Sequence, residues 1–391
     1  MGQMLFPQPS FFQIEKPADT TPPSAIQELM ASAGIQINGN KPWDFQVLDG
    51  RVYDRILTQG SLGFGEAYMD GLWECEQLDS LFERLLRVDA DERLKGWFRL
   101  RLLGDILTRK LFNRQSRSRA FQVAEQHYDL GNDVFAAMLD PTMAYSCAYW
   151  AKASTLADAQ LAKYDLICRK LQLQPGEHLL DICCGWGGLA RYAAEHYGVR
   201  VLGITVSKEQ QTLARARCAG YPIEIELIDY RDLQGQFDKI VSVGMFEHVG
   251  PQNYSIYFDT THRLLKDQGL FLLHSIGNYT VASSTDAWLD KYIFPNGHLP
   301  SAQEITHAAD NRFVIEDWHN FGPDYDRTLM AWWDNFERAW PQLEGKYDQR
   351  FYRMWKYYLM CCAGFFRSRQ GQLWQLVLSK RERQGIYRSV R

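Results

Sequence analysis

The stretch LLDICCGWGGLAR, Leu179 to Arg191, combines a buried apolar run, a glycine-bearing turn and the start of a helix. Gly185, Gly187 and Gly188 allow backbone N–H groups to approach a ligand closely. A helix that begins near Gly188 presents its positive end to a carboxylate or a phosphate. With Asp181 just before the turn, this order of residues predicts a loop that binds a nucleotide-like ligand. The alternative is a tight turn with a purely structural role in packing, which binds no ligand.

The following strands narrow the choice of ligand. A dinucleotide site needs an acid about 20 residues further on, at the end of the second strand. Here that strand ends in GITVS (203–207) without an acid, and Cys183 takes the place of the first glycine. Asp181 before the turn and Asp229-Tyr230 after the third strand fit S-adenosylmethionine better. Asp181 or the loop amides would meet the methionine end, and Tyr230 would stack on adenine.

The apolar patterns from about residue 121 onward predict a doubly wound α/β domain. The predicted strands cover residues 178–184, 199–207, 223–230, 238–249 and 269–277. Residues 278–345 are predicted to form an aromatic-rich, loop-rich insertion, and residues 372–380 a late strand at the sheet edge. Ligands of an open parallel sheet bind outside the carboxyl ends of the strands, which is where the glycine turn lies.

A smaller helix-rich domain is predicted ahead of this one. The segment AIQELMASAGIQI places Ile26, Leu29, Met30 and Ala33 at helical spacing, and Gly34 is a typical helix stop. We therefore predict a mobile tail at residues 1–24, a helical domain with a basic linker at 25–120, and the α/β domain at 121–391.

The net charge is only −4 over 391 residues, but basic residues cluster in two segments. Residues 93–119 hold nine Lys and Arg against Asp105, and residues 367–391 hold seven against Glu382. Such excesses indicate an anionic partner or a solvated face. Residues 97–112 alternate apolar and basic residues with helical periodicity. That pattern is typical of a helix on an anionic membrane, or of a core helix with a cationic solvent face.

Several features of the sequence indicate the cellular compartment of the protein. No apolar run reaches the roughly 18 residues that a membrane-spanning helix needs. The N-terminus lacks the basic start and apolar block of a secretory signal. The eight cysteines show no zinc-type spacing, so reduced thiols and no metal are the expectation. Together these features predict a cytoplasmic protein.

Six motifs in order along the chain resemble those of bacterial cyclopropane-fatty-acyl-phospholipid synthases, which are relatives of the mycolic acid methyltransferases. The motifs are HYDLGNDVF (127–135), DPTMAYSCAYW (140–150), LLDICCGWGGLA (179–190), VGMFEHVG (243–250), KYIFPNGHLPS (291–301) and DWHNFGPDYDRTLMAW (317–332). The resemblance begins at about residue 25 and includes SLGFGEAYMDGLWE (61–74). It implies a Rossmann-like class I S-adenosylmethionine methyltransferase fold for the second domain.

The resemblance also implies a reaction: a methylene group passes from S-adenosylmethionine to a cis double bond in an acyl chain of a membrane phospholipid, and a cyclopropane ring forms. An alkene is a weak nucleophile, so the methyl group must be held close and in line. Methyl transfer leaves a carbocation, which must be kept from water. Aromatic faces stabilise a desolvated cation by about 1–2 kcal/mol. Tyr128, Tyr145, Tyr149, Trp150 and the aromatic insertion suit that need.

A base must then remove a proton from the new methyl group, and the resemblance implies a bound bicarbonate ion. The residues that match its ligands are Cys147, Glu247, His274, Ile276 and Tyr325. Glu247 would accept the bicarbonate O–H, and the other four would donate, Ile276 through its backbone amide. Read alone, Cys147 fits a small buried hydrophobe, His274 a core histidine and Tyr325 a surface aromatic. Cys362 matches a cysteine sometimes proposed as catalytic, although this chemistry needs no covalent nucleophile.

For the cofactor, the expected binding residues lie on the loop and near the strand ends. They are Tyr128, Tyr145, Ser146, Asp181, Cys183, Gly185, Gly187, Gly188, Thr205, Val206, Gln210, Tyr230, Arg231 and Val243. Gln210, one turn into the second helix, would replace the missing acid by bonding the ribose hydroxyls. The family has Gly where this chain has Cys183. If the backbone there needs a positive φ, a Cβ costs about 1–2 kcal/mol.

Two alternatives stay open. One is a methyltransferase of the same fold that stops at a methyl or methylene branch or acts on a soluble substrate. The other is a non-catalytic lipid-binding relative whose cofactor loop has decayed at Cys183. As partners we expect phospholipid headgroups at the basic segments and a second copy of the chain in a homodimer. We expect no nucleic acid, and we expect the protein at the inner face of the membrane.

Overall fold

The structure, a computed structural model, describes residues 21–88, 131–281 and 285–391. Tyr128, the basic segment 93–119 and most of the predicted tail lie outside the described residues. The predicted domain boundary at residue 120 lies outside them too, so the division into domains stays a prediction.

Within residues 21–88, four helices accompany a two-stranded ribbon. They are α1 (Ser24–Ser32), β1 (Gln46–Val47), α2 (Arg51–Gln59), α3 (Ser61–Met69), β2 (Trp73–Glu74) and α4 (Leu78–Arg87). The helix predicted from AIQELMASAGIQI is confirmed. Ile26, Leu29 and Met30 form its buried face, and Gly34 follows its end with a φ of 68°.

The second part is built on a seven-stranded sheet in the order β5-β4-β3-β6-β7-β9-β8 within the described residues. Its elements are α5 (Asn132–Met138), α6 (Leu156–Lys170), β3 (His178–Ile182), α7 (Gly188–Tyr197), β4 (Arg200–Thr205), α8 (Lys208–Arg217), β5 (Ile223–Leu227), β6 (Phe237–Val243), α9 (Tyr254–Leu264) and β7 (Leu265–Asn278), then α10 (Ala287–Tyr292), α11 (Ala302–Ala309), β8 (Val314–Asn320), α12 (Pro323–Leu343), α13 (Gln349–Arg367) and β9 (Gly371–Ser379). The five strands from β5 to β7 are parallel, and β9 is antiparallel to both of its neighbours. The predicted doubly wound α/β architecture is confirmed.

Two predictions about the later part of the chain are wrong. Residues 278–345 are aromatic-rich but mainly helical, because they contain α10, α11 and α12 as well as β8. The late strand β9 is not at the edge, since it lies between β7 and β8 and β8 is the edge strand. The run Gly371–Ser379 is buried along almost its whole length, as expected of an interior strand.

Helix α13 joins the two parts of the described chain. Gly364 of α13 faces α4, and a Cβ at that position would lie only 2.6 Å from Cβ of Phe82 and 2.7 Å from the backbone nitrogen of Glu83. The glycine therefore allows the two helices to pack at close range. Arg367, at the end of α13, binds both Asp79 of α4 and Asp326 of α12, which fixes α4 on the second part.

The basic C-terminal segment is largely engaged within the protein. Besides Arg367, Lys380 is buried and binds Asp267 at 3.1 Å, and Arg391 binds Asp317 at 2.7 Å. These cations already have carboxylate partners, whereas Arg369, Arg381 and Arg388 of the same segment are exposed. None of the described helices is both long enough and apolar enough to cross a membrane.

Candidate active site

The predicted glycine loop connects β3 to α7, which begins at Gly188. Cys183, Gly185 and Gly187 all have positive φ angles, of 66°, 56° and 80°. A Cβ at Gly188 would lie 2.6 Å from the carbonyl oxygen of Thr142, so the loop also packs closely against the preceding segment. The strand, turn and helix are therefore as predicted. Cys183 occupies a backbone conformation that favours glycine.

A buried carboxyl and a buried ammonium group lie under this loop. Asp181 is 2% exposed, and its Oδ2 has no partner among the described residues. Burial raises the pKa of the Asp181 carboxyl to about 7, although the charge of Lys163 acts in the opposite direction. Lys163 of α6 is 1% exposed and donates to Oγ of Ser146 at 2.7 Å. Burial lowers the pKa of Lys163 to about 8. Sequence reasoning missed Lys163, because a lysine within a helix usually faces solvent.

Gln210 and Arg231 are both engaged by neighbours. Oε1 of Gln210 accepts from the hydroxyl of Thr205 at 2.8 Å, so this oxygen is already used within the protein. The guanidinium of Arg231 binds both oxygens of Asp229, at 2.7 and 2.5 Å, and this pairing raises the pKa of Arg231. Arg231 is thus held in place and is less free to bind a cofactor than the sequence suggested.

The remaining predicted cofactor residues lie at one edge of the sheet. Tyr230 follows β5, Val206 follows β4, and Val243 ends β6, which is the other neighbour of β3. Since adjacent parallel strands end at the same edge, these side chains flank the glycine loop. The arrangement suits a nucleoside bound across the strand ends.

Glu247 lies in a short 3₁₀ turn, Phe246–His248, after β6 and not at the end of the strand itself. Its Oε1 accepts from the backbone N–H of Ile276 at 2.6 Å, and its Oε2 is buried without a partner among the described residues. Burial raises the pKa of Glu247 to about 7, although the hydrogen bond from Ile276 opposes the shift. Glu247 therefore already occupies the amide that sequence reasoning assigned to an anion.

His274 presents a second unsatisfied atom. The amide nitrogen of Gln375 on β9 lies 3.2 Å from its Nδ1, and its Nε2 is buried without a partner among the described residues. Burial and the charges of Lys163 and Lys170 hold the pKa of His274 well below 6.5. Because its pKa lies well below 6.5, the ring is neutral at pH 7. In the tautomer in which Nδ1 accepts from Gln375, Nε2 carries the hydrogen and can donate. Gln375 was also missed, because pairing with β9 is a long-range feature.

One cavity of about 1150 Å³ brings many of the predicted residues together. It is lined by Tyr145, Ser146, Glu247, His274, Ile276, Tyr325 and Cys362, and by the aromatic side chains Phe294, Tyr357, Tyr358, Phe365 and Phe366. The ring of Tyr325 stacks on that of Phe366 with centroids 4.5 Å apart, and the hydroxyls of Tyr145 and Tyr358 are 2.8 Å apart. The polar atoms of Glu247 and His274 thus face a chamber with mostly apolar walls.

The predicted cofactor residues of the glycine loop and of the strand ends are not part of the lining of this cavity, and neither are three residues predicted for the reaction itself. Cys147 is fully buried, and its thiol donates to the carbonyl of Ala148 at 3.2 Å; burial raises the pKa of the thiol well above its usual value. The indole of Trp150 donates to Thr328 at 2.9 Å. Tyr149 packs against neighbouring rings near the edge strand. None of the three is part of the cavity lining, so Tyr149 and Trp150 do not have the predicted aromatic role there.

Comparisons with known proteins agree with this geometry. A family model described as mycolic acid cyclopropane synthetase matches residues 115–376. The cyclopropane-fatty-acyl-phospholipid synthase of Escherichia coli K12 is 54% identical over 361 residues, which is 92% of this chain and 94% of the relative.

Solved structures match about two thirds of the chain. The cyclopropane synthase MmaA2 from Mycobacterium tuberculosis is 32% identical with a TM-score of 0.63, over 66% of this chain and 98% of its own. The mycolic acid cyclopropane synthase CmaA1, complexed with SAH and CTAB, is 35% identical with the same TM-score and the same coverage. These matches, like the family model, are shorter than the chain. The match to the E. coli relative covers 92% of the chain and therefore extends into its helical N-terminal part.

Proposed function

The chain belongs to the mycolic acid cyclopropane synthetase family, and we propose that it transfers a methylene group from S-adenosylmethionine to the cis double bond of an unsaturated acyl chain in a membrane phospholipid, forming a cyclopropane ring. The observation that carries the proposal is the mostly apolar cavity that both Glu247 and His274 line, each with a buried polar atom, Oε2 and Nε2, that has no partner among the described residues. The family and the fold make the chain a methyltransferase; the phospholipid substrate and the details below are the proposal.

The strand-end residues fit S-adenosylmethionine, which when bound supplies an electrophilic methyl group. The unsatisfied carboxyl of Asp181 suits the methionine amino group, and the ammonium of Lys163 beside Ser146 suits the carboxylate. The amide of Gln210 suits a ribose hydroxyl. These groups are buried and fixed by neighbours, so they orient the ligand without paying much ordering entropy.

The chamber walls fit the acyl chain. Methyl transfer to a double bond leaves a carbocation on the chain, and water would convert it to an alcohol. The rings of Tyr145, Tyr358 and Phe366 line the same cavity as Glu247 and His274 and would help to exclude water from a bound acyl chain. Their faces stabilise a desolvated cation by about 1–2 kcal/mol.

The unsatisfied polar atoms fit bicarbonate, which when bound supplies the base for the last proton. His274 offers one N–H, and the hydroxyl of Tyr325 a second donor. Glu247 accepts the remaining O–H through Oε2, while Ile276 holds its other oxygen. The thiol of Cys147 would have to turn away from Ala148 to join this set, and Cys362 has no required role.

The substrate implies a membrane partner. We propose that the protein acts from the cytoplasm at the inner membrane face, as a homodimer. Four of the seven cations of the C-terminal basic segment are engaged in ion pairs, so we assign most of the contact with anionic headgroups to residues 93–119. Each basic residue near such a surface adds about 1 kcal/mol of attraction.

Incubation with unsaturated phospholipid vesicles and labelled S-adenosylmethionine tests the proposal. The expected product gains one carbon and two hydrogens per modified chain and loses its alkene reactivity. The same mass gain with retained alkene reactivity would indicate a methylene branch, and calorimetry that detects no cofactor binding at millimolar concentration would indicate a non-catalytic relative. Either outcome contradicts ring formation.

A further inference from the structure

A row of three polar side chains crosses the sheet beside the site. Gln375 of β9 stands opposite His274 of β7 on one side and opposite His319 of β8 on the other. Residues directly opposite each other on antiparallel strands place their side chains on the same face, with Cβ atoms about 4.5–5.5 Å apart. The three side chains therefore form one continuous row, which runs from His274 in the cavity lining to the edge strand β8.

Lys170, the last residue of α6, anchors the edge-strand end of this row. Its Nζ lies 3.2 Å from Nδ1 of His319 and 3.2 Å from Oδ2 of Asp317. Lys170 is fully buried, and burial lowers its pKa to about 8, although the charge of Asp317 acts in the opposite direction. Lys170 is therefore an ammonium group at neutral pH, and an ammonium group has hydrogen-bond donors but no acceptor.

The ammonium of Lys170 decides the tautomer of His319. Burial and the charge of Lys170 lower the pKa of His319 to about 4, so this imidazole is neutral at pH 7. Because Lys170 can only donate, Nδ1 of His319 is the acceptor of their contact. A neutral imidazole carries one ring hydrogen, which in His319 is thus on Nε2.

Gln375 continues the same direction of hydrogen bonding. It is fully buried, and its Oε1 has no partner among the residues that the structure describes. This oxygen is the acceptor that the next position of the row offers to the Nε2 hydrogen of His319. An amide that turns its oxygen towards His319 turns its nitrogen towards His274, and the amide nitrogen is the atom that lies 3.2 Å from Nδ1 of His274.

The direction of the row places the hydrogen of His274 on Nε2, the buried atom that has no partner in the described part of the chain. The ring of Phe321, itself 6% exposed, packs against both imidazoles, with centroids 5.8 Å from His274 and 4.9 Å from His319. We infer that Gln375 and His319 are positioning residues, which hold His274 in the tautomer that presents an N–H to the cavity. Only the assignment of bicarbonate as the acceptor of that N–H rests on the proposed function.

Nuclear magnetic resonance tests the tautomer directly. Long-range ¹⁵N–¹H correlation spectra of the full chain, with its nine histidines ¹⁵N-labelled, show which ring nitrogen carries a hydrogen, and His274→Gln identifies the signals of His274. We expect the hydrogen on Nε2 in the unaltered protein. Gln375→Met removes the amide at similar volume, and His319→Phe keeps a ring without nitrogens, so each should give a mixture of the two His274 tautomers. His307→Phe, at an exposed position of α11, is the matched control and should leave these signals unchanged.

Turnover on unsaturated phospholipid vesicles tests the consequence for the reaction. Gln375→Met and His319→Phe should each lower turnover by about 10–100-fold, the usual loss when the partner that orients a ligand-binding histidine is removed. His319→Gln keeps an N–H donor near the position of Nε2 and should retain most of the turnover. Since His319 acts through Gln375, the variant with both His319→Phe and Gln375→Met should lose no more than Gln375→Met alone. Two independent structural defects would instead add.

The outcomes separate this inference from the proposed function, because the spectra need no substrate. A hydrogen on Nδ1 of His274 in the unaltered protein, or an unchanged tautomer in folded Gln375→Met, would overturn the inference, and this second result is available even if His319→Phe does not fold. Full turnover in Gln375→Met, additive losses in the double variant, or an equal loss in His319→Gln would also overturn it. If the expected tautomers are seen but the unaltered protein forms no ring, only the proposed function is contradicted.

Discussion

Oε1 of Glu247 accepts the backbone N–H of Ile276 at 2.6 Å, while Oε2 of the same carboxyl is buried without a partner among the described residues. One oxygen is thus used to position the side chain, and the other is left for a ligand. Burying an unsatisfied carboxyl oxygen costs free energy, and a bound ligand that donates to this oxygen would offset the cost. The neighbouring His274, with an unpaired Nε2, has the same character.

Glu247→Gln is expected to cut turnover by about 10²–10⁴-fold, the usual contribution of a positioned acid–base group. Glutamine keeps an oxygen for Ile276 but replaces the free acceptor by an N–H₂ donor. Binding of S-adenosylmethionine, measured by calorimetry, should be unchanged because the strand-end residues are untouched. Glu226→Gln, on the exposed face of β5, is the control. Full turnover in the Glu247 variant would show that this carboxylate does not hold the base.

The same substitution should change the pH dependence of stability. Burial raises the pKa of Glu247 from 4.5 to about 7, so the folded protein holds this proton more tightly than the unfolded chain does. The carboxyl therefore costs stability as pH rises from about 4.5 to 7, and the full cost is present above 7. Glu247→Gln should gain on the order of 1–3 kcal/mol at about pH 8 and little at about pH 4. Urea unfolding at both pH values measures this gain in stability. An equal gain at both pH values would contradict the raised pKa of Glu247.

Cys183→Gly should stabilise the glycine loop. The φ of 66° at Cys183 places a Cβ in a conformation that costs about 1–2 kcal/mol, and the greater freedom of unfolded glycine offsets part of the gain. We expect a rise of up to about 1 kcal/mol in unfolding free energy and equal or tighter cofactor binding. Cys184→Gly is the matched control, because Cys184 is buried against Ala214, Cys218 and Ile225 and should lose stability. A large loss of affinity in the Cys183 variant would mean that the thiol itself is used.

Lys163→Met should weaken binding of S-adenosylmethionine by about tenfold or more, since a hydrogen bond from a charged donor contributes roughly 1.5–3 kcal/mol. Methionine fills similar space without the charge beside Ser146. Burial lowers the pKa of Lys163 to about 8, so in the unaltered protein the affinity should fall as pH rises through about 8. The variant should lack this pH dependence of affinity. A lysine with only a structural role would not produce such a dependence in the unaltered protein. Lys152→Met, at an exposed position, is the control; matching titrations in both variants would exclude the role.

The strand, turn and helix around Leu179–Arg191 could be predicted because their signals are local. A continuous apolar run, several glycines and a helical apolar stripe each constrain the backbone within a few residues. The placement of β9 inside the sheet could not be predicted, since strand order depends on partners far along the chain. For the same reason the ion pairs of Lys380 and Arg391 were not predictable from their basic segment.

The candidate site was predicted less completely than the fold. Family motifs indicated Glu247 and His274, and the structure brings both to one cavity. Lys163 and Gln375 have no such motif, because their roles depend on burial and on a neighbour in another element. Helix α1 also contributes Leu29 and Met30 to the cavity lining, and this contribution was equally hidden, since both residues have the spacing of any buried helix face.

Asp317→Asn should destabilise the protein strongly. Asp317 is buried on β8 and accepts from Lys170, which is fully buried, at 3.2 Å and from Arg391 at 2.7 Å. Removing the carboxylate leaves buried Lys170 without its ion-pair partner and with only Nδ1 of His319 at 3.2 Å, and breaking such a buried pair costs about 3–5 kcal/mol. Arg391→Gln should cost only about 0–1 kcal/mol, because the side chain of Arg391 is 45% exposed.

The loss of stability at acidic pH tests the same ion pairs. Burial alone would raise the pKa of Asp317. The hydrogen bonds from Arg391 and the charge of Lys170 instead hold this pKa at about 2, below its usual 3.8. The stability that this carboxylate contributes is therefore present above about pH 4 and is lost as pH falls towards 2. Urea unfolding should show a large difference between the unaltered protein and Asp317→Asn near pH 7 and a smaller one near pH 3. Asp334→Asn, at an exposed position of α12, should stay within about 0.5 kcal/mol of the unaltered protein. An equally small effect for Asp317 would mean that Lys170 does not depend on this carboxylate.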